Sequence, residues 1–172
     1  MIEEPLTALR VIADAGLQVG VDAVRQFHFP PRKMARQGGT VCEVDAHGRR
    51  LGRIDLAGGL MTRLEDRADF RIEDPVTMTY HHYYSCPEPP VKSVDDARRI
   101  AVPDKELFDQ LGWAAHQDQI RRRVGGQVAL IGDCSSATMA FCVYLRGLEN
   151  AMLDPVLDPR LVHAIMEKGV AI

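Results

Sequence analysis

Gln127-Val128-Ala129-Leu130-Ile131-Gly132 is a short, nearly all-apolar run between turn residues, with Gly125-Gly126 before it and Asp133 after it. A run of this length without alternation is the pattern of a strand covered on both faces, as strands of parallel sheets are. It predicts a parallel strand of the barrel kind. Upstream, Pro103-Asp104 opens a helix expected through Val124, with Leu107, Phe108, Leu111, Ala115 and Ile120 on or near one stripe that should pack on a sheet. Downstream, a helix is expected from about Ala137 to Leu148. Asp158-Pro159 then starts another, with Leu161, Val162, Ile165 and Met166 as its apolar stripe. Helix, strand, turn, helix, helix is the order of an α/β chain with parallel connections.

Length limits how much of such a fold is present. The chain has 172 residues, 46% of them hydrophobic, which suffices for one sizeable core but falls below the roughly 200 residues of a closed eight-stranded α/β barrel. Any barrel is therefore expected to be partial. The charge balance of 21 Lys+Arg against 24 Asp+Glu argues against a partner held by electrostatics such as nucleic acid, and Arg121-Arg122-Arg123 reads as a solvated helix face. Met1-Ile2-Glu3-Glu4-Pro5 lacks the basic start of an export signal, and the longest mostly apolar run, Ala137 to Leu145, is about half of a bilayer span. The expected location is cytoplasmic, with Cys42, Cys86, Cys134 and Cys142 as reduced thiols.

The texture changes near Pro90, giving expected units of 1–88 and 89–172. In the first, Leu6 to Gln18 has helical spacing, with Gly20 suited to ending it. Thr40 to Val44 and Arg50 to Leu56 flank Asp45-Ala46-His47-Gly48-Arg49 and predict a β-hairpin turning at Gly48. Val76 to Tyr84, rich in Thr and Tyr, reads as strand or extended coil. At the start of the second unit, Ser93 and Asp96 predict a capped helix running to about Ile100.

Several segments resemble, in order, the uroporphyrinogen decarboxylase superfamily, and more closely its methyltransferase-like branch. They are Pro89-Pro90-Val91-Lys92-Ser93-Val94-Asp95-Asp96 leading to Pro103-Asp104, the apolar strand ending at Gly132, Tyr144-Leu145-Arg146-Gly147-Leu148-Glu149, and Asp158-Pro159-Arg160-Leu161-Val162-His163. Together they span roughly residues 89 to 168, and the Thr40 to Leu56 hairpin resembles the β-extension carried before them. The resemblance implies a (β/α)8 barrel with its pocket at the C-terminal ends of the strands, of which this chain would hold about half, preceded by the hairpin. It also implies movement of a methyl group between a corrinoid and a thiol or small methyl donor. In that branch the thiol is activated by zinc on a His-x-Cys pair and a distant Cys. No His-x-Cys occurs here, so corrinoid and zinc are expected only of a full-length methyltransferase. The chain alone should not turn over.

The decarboxylase branch, which serves tetrapyrrole biosynthesis without a metal, carries an Arg-Gln-Ala-Gly-Arg loop for substrate carboxylates. Arg36-Gln37-Gly38-Gly39-Thr40 echoes it only superficially, with Thr40 where the second arginine would stand. Val143 likewise falls where that branch places a substrate-facing tyrosine. A third reading is a non-catalytic half-barrel that associates with a second chain through its open edges.

Asp133 and Cys134 follow the predicted strand directly, where barrel enzymes place catalytic groups, and the Ser135-Ser136 amides at the next helix start suit an anion. The plainer alternative is that Asp133 or Ser135 caps that helix and Cys134 packs as a small hydrophobe. His82 and Tyr84 are weaker substrate-contact candidates. His81, His82 and Cys86 fit no closed zinc spacing, so no metal is assigned to them. His28 and His163 read as structural or solvated, Glu149 as a partner for Arg146 or Lys168, and Met139, Met152 and Met166 as helix-core packing.

Overall fold

A computed structural model gives the fold, and it describes residues 5–26, 32–37, 40–45, 47–55, 62–64, 69–81, 88–124, 126–132 and 139–172. The fold is mixed α/β, with a parallel strand pair, an antiparallel sheet and a helical cluster.

The first helix, α1 (Pro5–Val19), stops at Gly20, whose φ of 75° lets its amide and that of Val21 both return to Gly16 O. The chain enters β1 (Ala23–Gln26), which pairs in parallel with β6 (Ala129–Gly132), Ala23 opposite Ala129 through Gln26 opposite Gly132. Ala13 of α1 and Val128 are buried together, with Leu17 and Leu130 packed beside them. The α1 helix also lies along α5 (Trp113–Val124), where Arg123 grips Asp14 through two hydrogen bonds of 3.0 and 2.9 Å.

The parallel direction of β6 is as expected; its burial is not. Ile131 is 56% exposed and Ala129 is exposed, so the strand is not covered on both faces. Two strands form this sheet among the described residues, and a pair has little surface with which to sandwich either face.

Residues 32–64 hold a four-stranded antiparallel sheet in the order β2 (Arg32–Gln37), β3 (Thr40–Asp45), β4 (Arg50–Asp55), β5 (Thr62–Leu64). The β3–β4 hairpin appears where the sequence predicts it. Gly48 at φ 79° turns the chain, and Asp45 Oδ1 accepts from the amides of His47 and Arg49. The β2 strand is an addition to the expected hairpin. Arg36 and Gln37 stand opposite Val41 and Thr40 as paired strand residues, so the Arg36-Gln37 echo lies in an antiparallel ladder.

The segment expected as strand or coil after Pro75 begins instead as a helix, α2 (Pro75–Thr79). Asp74 caps it through the Val76 amide, Pro75 occupies the first turn with φ already fixed, and Thr79 donates its hydroxyl back to Val76 O at 2.8 Å. These local bonds outweigh the β-preference of threonine.

The long helix expected from Pro103-Asp104 is two helices, α4 (Lys105–Gln110) and α5. Gly112, at φ 82°, breaks the run between them. The break turns Leu111 inward onto Leu51 of β4 and Tyr80, with Val76, Leu107 and Trp113 around them, so the stripe does pack on a sheet, the antiparallel one. Ala115, expected on that stripe, is exposed.

The largest core is helical. Its members include α3 (Val94–Arg99), α6 (Met139–Arg146), α7 (Leu148–Leu157) and α8 (Pro159–Ala171), and its buried residues run from Ile72 and Met78 through Val91, Phe141 and Leu145 to Leu161 and Ile165. As expected, Ser93 caps α3 by accepting from the Asp96 amide, and Asp158 caps α8 through the Leu161 amide. The α7 helix is an addition to the expected order. Gly147, at φ 75°, separates it from α6.

Candidate functional site

Asp133, Cys134, Ser135, Ser136, His82 and Tyr84, the residues singled out in the sequence, all lie outside the described residues. What can be built is the frame from which their segments depart. β6 ends at Gly132, immediately before Asp133, and α6 begins at Met139, immediately after Thr138. His81, the residue before His82, is buried against α6: its ring meets Phe141 edge-on at 4.9 Å and Tyr144 at 5.7 Å. The α6 helix is thus the described element that follows the first candidate segment in the chain and packs against the residue leading into the second.

His81 is fixed by more than packing. Its Nδ1 lies 2.8 Å from Met78 O, and because a carbonyl only accepts, that nitrogen carries the proton. Burial drives its pKa down to about 4. The imidazole is thus neutral near pH 7 and held in one tautomer, an uncharged wall rather than a cation.

A second constellation locks the other end of α6. Arg146 Nε and Nη2 donate to Asp154 Oδ2 and Oδ1 at 2.6 and 3.0 Å, and Nη1 donates to Val91 O at 2.8 Å. The Val91 amide returns a hydrogen bond to Leu145 O at 3.3 Å. The bond to Asp154 raises the guanidinium pKa further, while burial and the charge of Asp154 together raise that of the Cys142 thiol. One fork thus ties α6 to α7 and to the Pro89–Val91 lead-in. At the same end Asp96 accepts from the Lys92 amide, Arg99 and the Ser93 hydroxyl, which holds its carboxyl down to about 2.

Three of the segments singled out in the sequence, around Val91, Leu145 and Leu161, thereby pack into one core, while the strand ending at Gly132 packs with α1 instead. Arg146, Asp96 and Asp158 clasp and cap; none of them faces a described cleft of its own. The Arg146–Asp154 pair is not among the sequence expectations, which offer Glu149 as a partner for Arg146 or Lys168. Glu149 sits on the outer face of α7 and is exposed, whereas Asp154 shares the buried face with Ala151 three residues earlier. A carboxylate on an apolar helix stripe needs a cation, and that signal is present in the sequence. His163 is solvated as expected, and Met139 and Met166 pack on the core, but Met152 is 62% exposed rather than part of it.

Near the hairpin, the buried Asp45 also accepts from Arg49 Nε at 3.0 Å, and Arg49 reaches on to Asp74 at the head of α2. This network pins the turn to the helix. Cys42 and Cys142 are free and buried, so neither is presented as a nucleophile. Among the described residues no group of three or more His, Cys, Asp or Glu side chains is placed to hold a metal ion. No described helix is long and apolar enough to cross a membrane. Two open surface grooves of about 350 and 380 Å³ lie between α3 and α8 and beside α4, the first lined chiefly by charged side chains and the second by polar and apolar ones alike.

No family model matches the chain, and no curated protein and no solved structure matches it.

Proposed function

We propose that the chain is a partial (β/α)8 barrel of the uroporphyrinogen decarboxylase superfamily, most akin to its methyltransferase branch. In this reading it supplies a β-extension and one wall of a pocket in which a methyl group passes between a corrinoid and a thiol or small methyl donor. The observation that carries the reading is the parallel register of β1 and β6, with the C-terminal end of β6 leading straight into Asp133 and Cys134. Parallel strands occur almost only within larger covered sheets, and in barrels the residues just past such strand ends are the ones that meet substrate. A parallel pair with Ile131 exposed fits strands whose neighbours come from elsewhere.

The donor set for zinc does not fit. The thiol-activating site of that branch is a His-x-Cys pair with a further Cys, and none of the six histidines here is followed two residues later by cysteine. No step is therefore assigned to zinc on this chain. Its own contribution is the carboxylate of Asp133 and the thiol of Cys134, which follow β6 directly in the chain.

Equilibrium titration tests the reading. Methylcobalamin should bind the isolated chain without turnover, and Asp133→Asn and Cys134→Ser should each weaken it about tenfold, the loss of one hydrogen bond to a charged or polarisable group. Binding of uroporphyrinogen but not methylcobalamin would assign the chain to the decarboxylase branch. Binding of neither would leave a non-catalytic module and overturn the proposal.

A further inference from the structure

The groove between α3 and α8 is lined by three cationic side chains, Arg98, Arg160 and Lys168, against one carboxylate, Glu167. The chain as a whole carries a net charge of −3, so this face runs against the overall balance. Arg160, Ala164 and Lys168 follow one another at four-residue spacing on α8, which sets the two cations about 12 Å apart along one face of the helix. Among the described residues neither Arg160 nor Lys168 is held by a carboxylate. Glu167 instead faces His163 Nδ1 at 3.4 Å, and Asp95 accepts from Arg98 Nη1 at 2.9 Å. Both members of the Arg98 pair are well exposed, so it holds little energy and leaves the other guanidinium N–H groups available. Val94 and Ala164, which pack on the helical core, give the groove an apolar component.

Helix electrostatics accounts for two of these cations but not for the third. Arg98 and Lys168 stand in the last turns of α3 and α8, where positive charge complements the dipole. Arg160 stands in the first turn of α8, which holds no acidic residue, and there a cation opposes the dipole. The α3 helix, by contrast, opens with Asp95 and Asp96. We infer that the groove binds a small organic phosphate. A phosphate monoester brings three acceptor oxygens and roughly two negative charges, enough to engage cations contributed by both helices, and two of the three are guanidinium forks suited to it. A monocarboxylate, with a single charge, leaves most of that positive charge uncompensated. A volume of about 350 Å³ holds a small molecule, and the apolar component suits the organic part of one.

The groove is independent of the reaction proposed above, because it uses neither Asp133 nor Cys134. Calorimetric titration of the full chain with pyrophosphate at low ionic strength should show one saturable site. Arg160→Gln and Lys168→Gln should each weaken it about tenfold, the loss of a charge-assisted hydrogen bond. Both positions lie outside the buried core, so the thermal midpoint should not move. Glu167→Gln, which removes the like charge from the groove, should tighten binding about threefold. Arg122→Gln, at an exposed arginine of α5 away from the groove, should leave the affinity as it is. Absence of saturable pyrophosphate binding, or equal losses at positions 122, 160 and 168, would overturn the inference. Tighter binding of citrate than of pyrophosphate would overturn it too, and would assign the groove to carboxylates.

Discussion

Removing the Asp154 carboxylate leaves the Arg146 guanidinium, whose side chain is 13% exposed, facing a hole where two hydrogen bonds had been. Breaking a buried pair from one side costs far more than the pair contributes when intact. Asp154→Ala should therefore lower the unfolding free energy by about 3 kcal/mol in urea denaturation. Arg146→Lys should cost a substantial part of that, because an ammonium cannot span both carboxylate oxygens and Val91 O together. His81 adds a pH dependence of definite sign. Its folded pKa of about 4 lies below its ordinary value of 6.5, so between those values the unfolded chain binds the proton and the folded chain does not. Stability is then complete above pH 6.5 and declines as the pH falls toward 4, by about 3 kcal/mol in all. His81→Phe should flatten that part of the stability profile, measured as the urea midpoint at each pH; an unchanged slope would show that other groups are responsible.

The helices show how far local chemistry can be read. Ser93 and Asp158 cap α3 and α8 as their residue types dictate, and Gly20 and Gly48 end a helix and turn a hairpin where only an unhindered φ serves. Ser93→Ala should cost about 1 kcal/mol on thermal unfolding, the value of one satisfied helix-end amide. Gly112 and Gly147 are harder to weigh. Each falls inside an apolar periodicity that continues past it, and what decides for a break is the core each new direction reaches: Leu111 onto the antiparallel sheet, and Ala151 with Asp154 onto α6 and α8. A Cβ at Gly147 meets nothing within 4 Å, so Gly147→Ala is a purely conformational loss at φ 75°. It should destabilise by about 1 kcal/mol, and Gly147→Asn by less, since Asn tolerates that region. Equal losses for the two variants would point instead to a hidden steric contact. The β-propensity of the Val76 segment misleads when it is weighed without its Asp74-Pro75 cap, and the Arg146 partner is missed when helix neighbours are sought on the exposed rather than the buried face.

At the scale of the molecule, the described residues form a two-stranded parallel sheet, a four-stranded antiparallel one and a well-packed helical cluster. The expected α/β class and the parallel sense of Gln127 to Gly132 are legible because an unalternating apolar run has few places to go. The exposure of Ile131 is not, since it depends on how many strands surround the pair, and periodicity within one segment carries no such count. The candidate site is legible only as a position, the end of β6, because helix caps and core contacts fix Met139 onward but say nothing of the six residues before it. The proposed function requires the Cys134 thiol to be accessible to solvent and ligand. Iodoacetamide labelling followed by mass spectrometry measures this directly, with the buried Cys42 and Cys142 as internal references. Cys134 should label at least about tenfold faster than either, as an accessible thiol does, and methylcobalamin should slow it alone. Labelling of Cys134 as slow as that of the two buried thiols, or indifferent to methylcobalamin, would contradict the account.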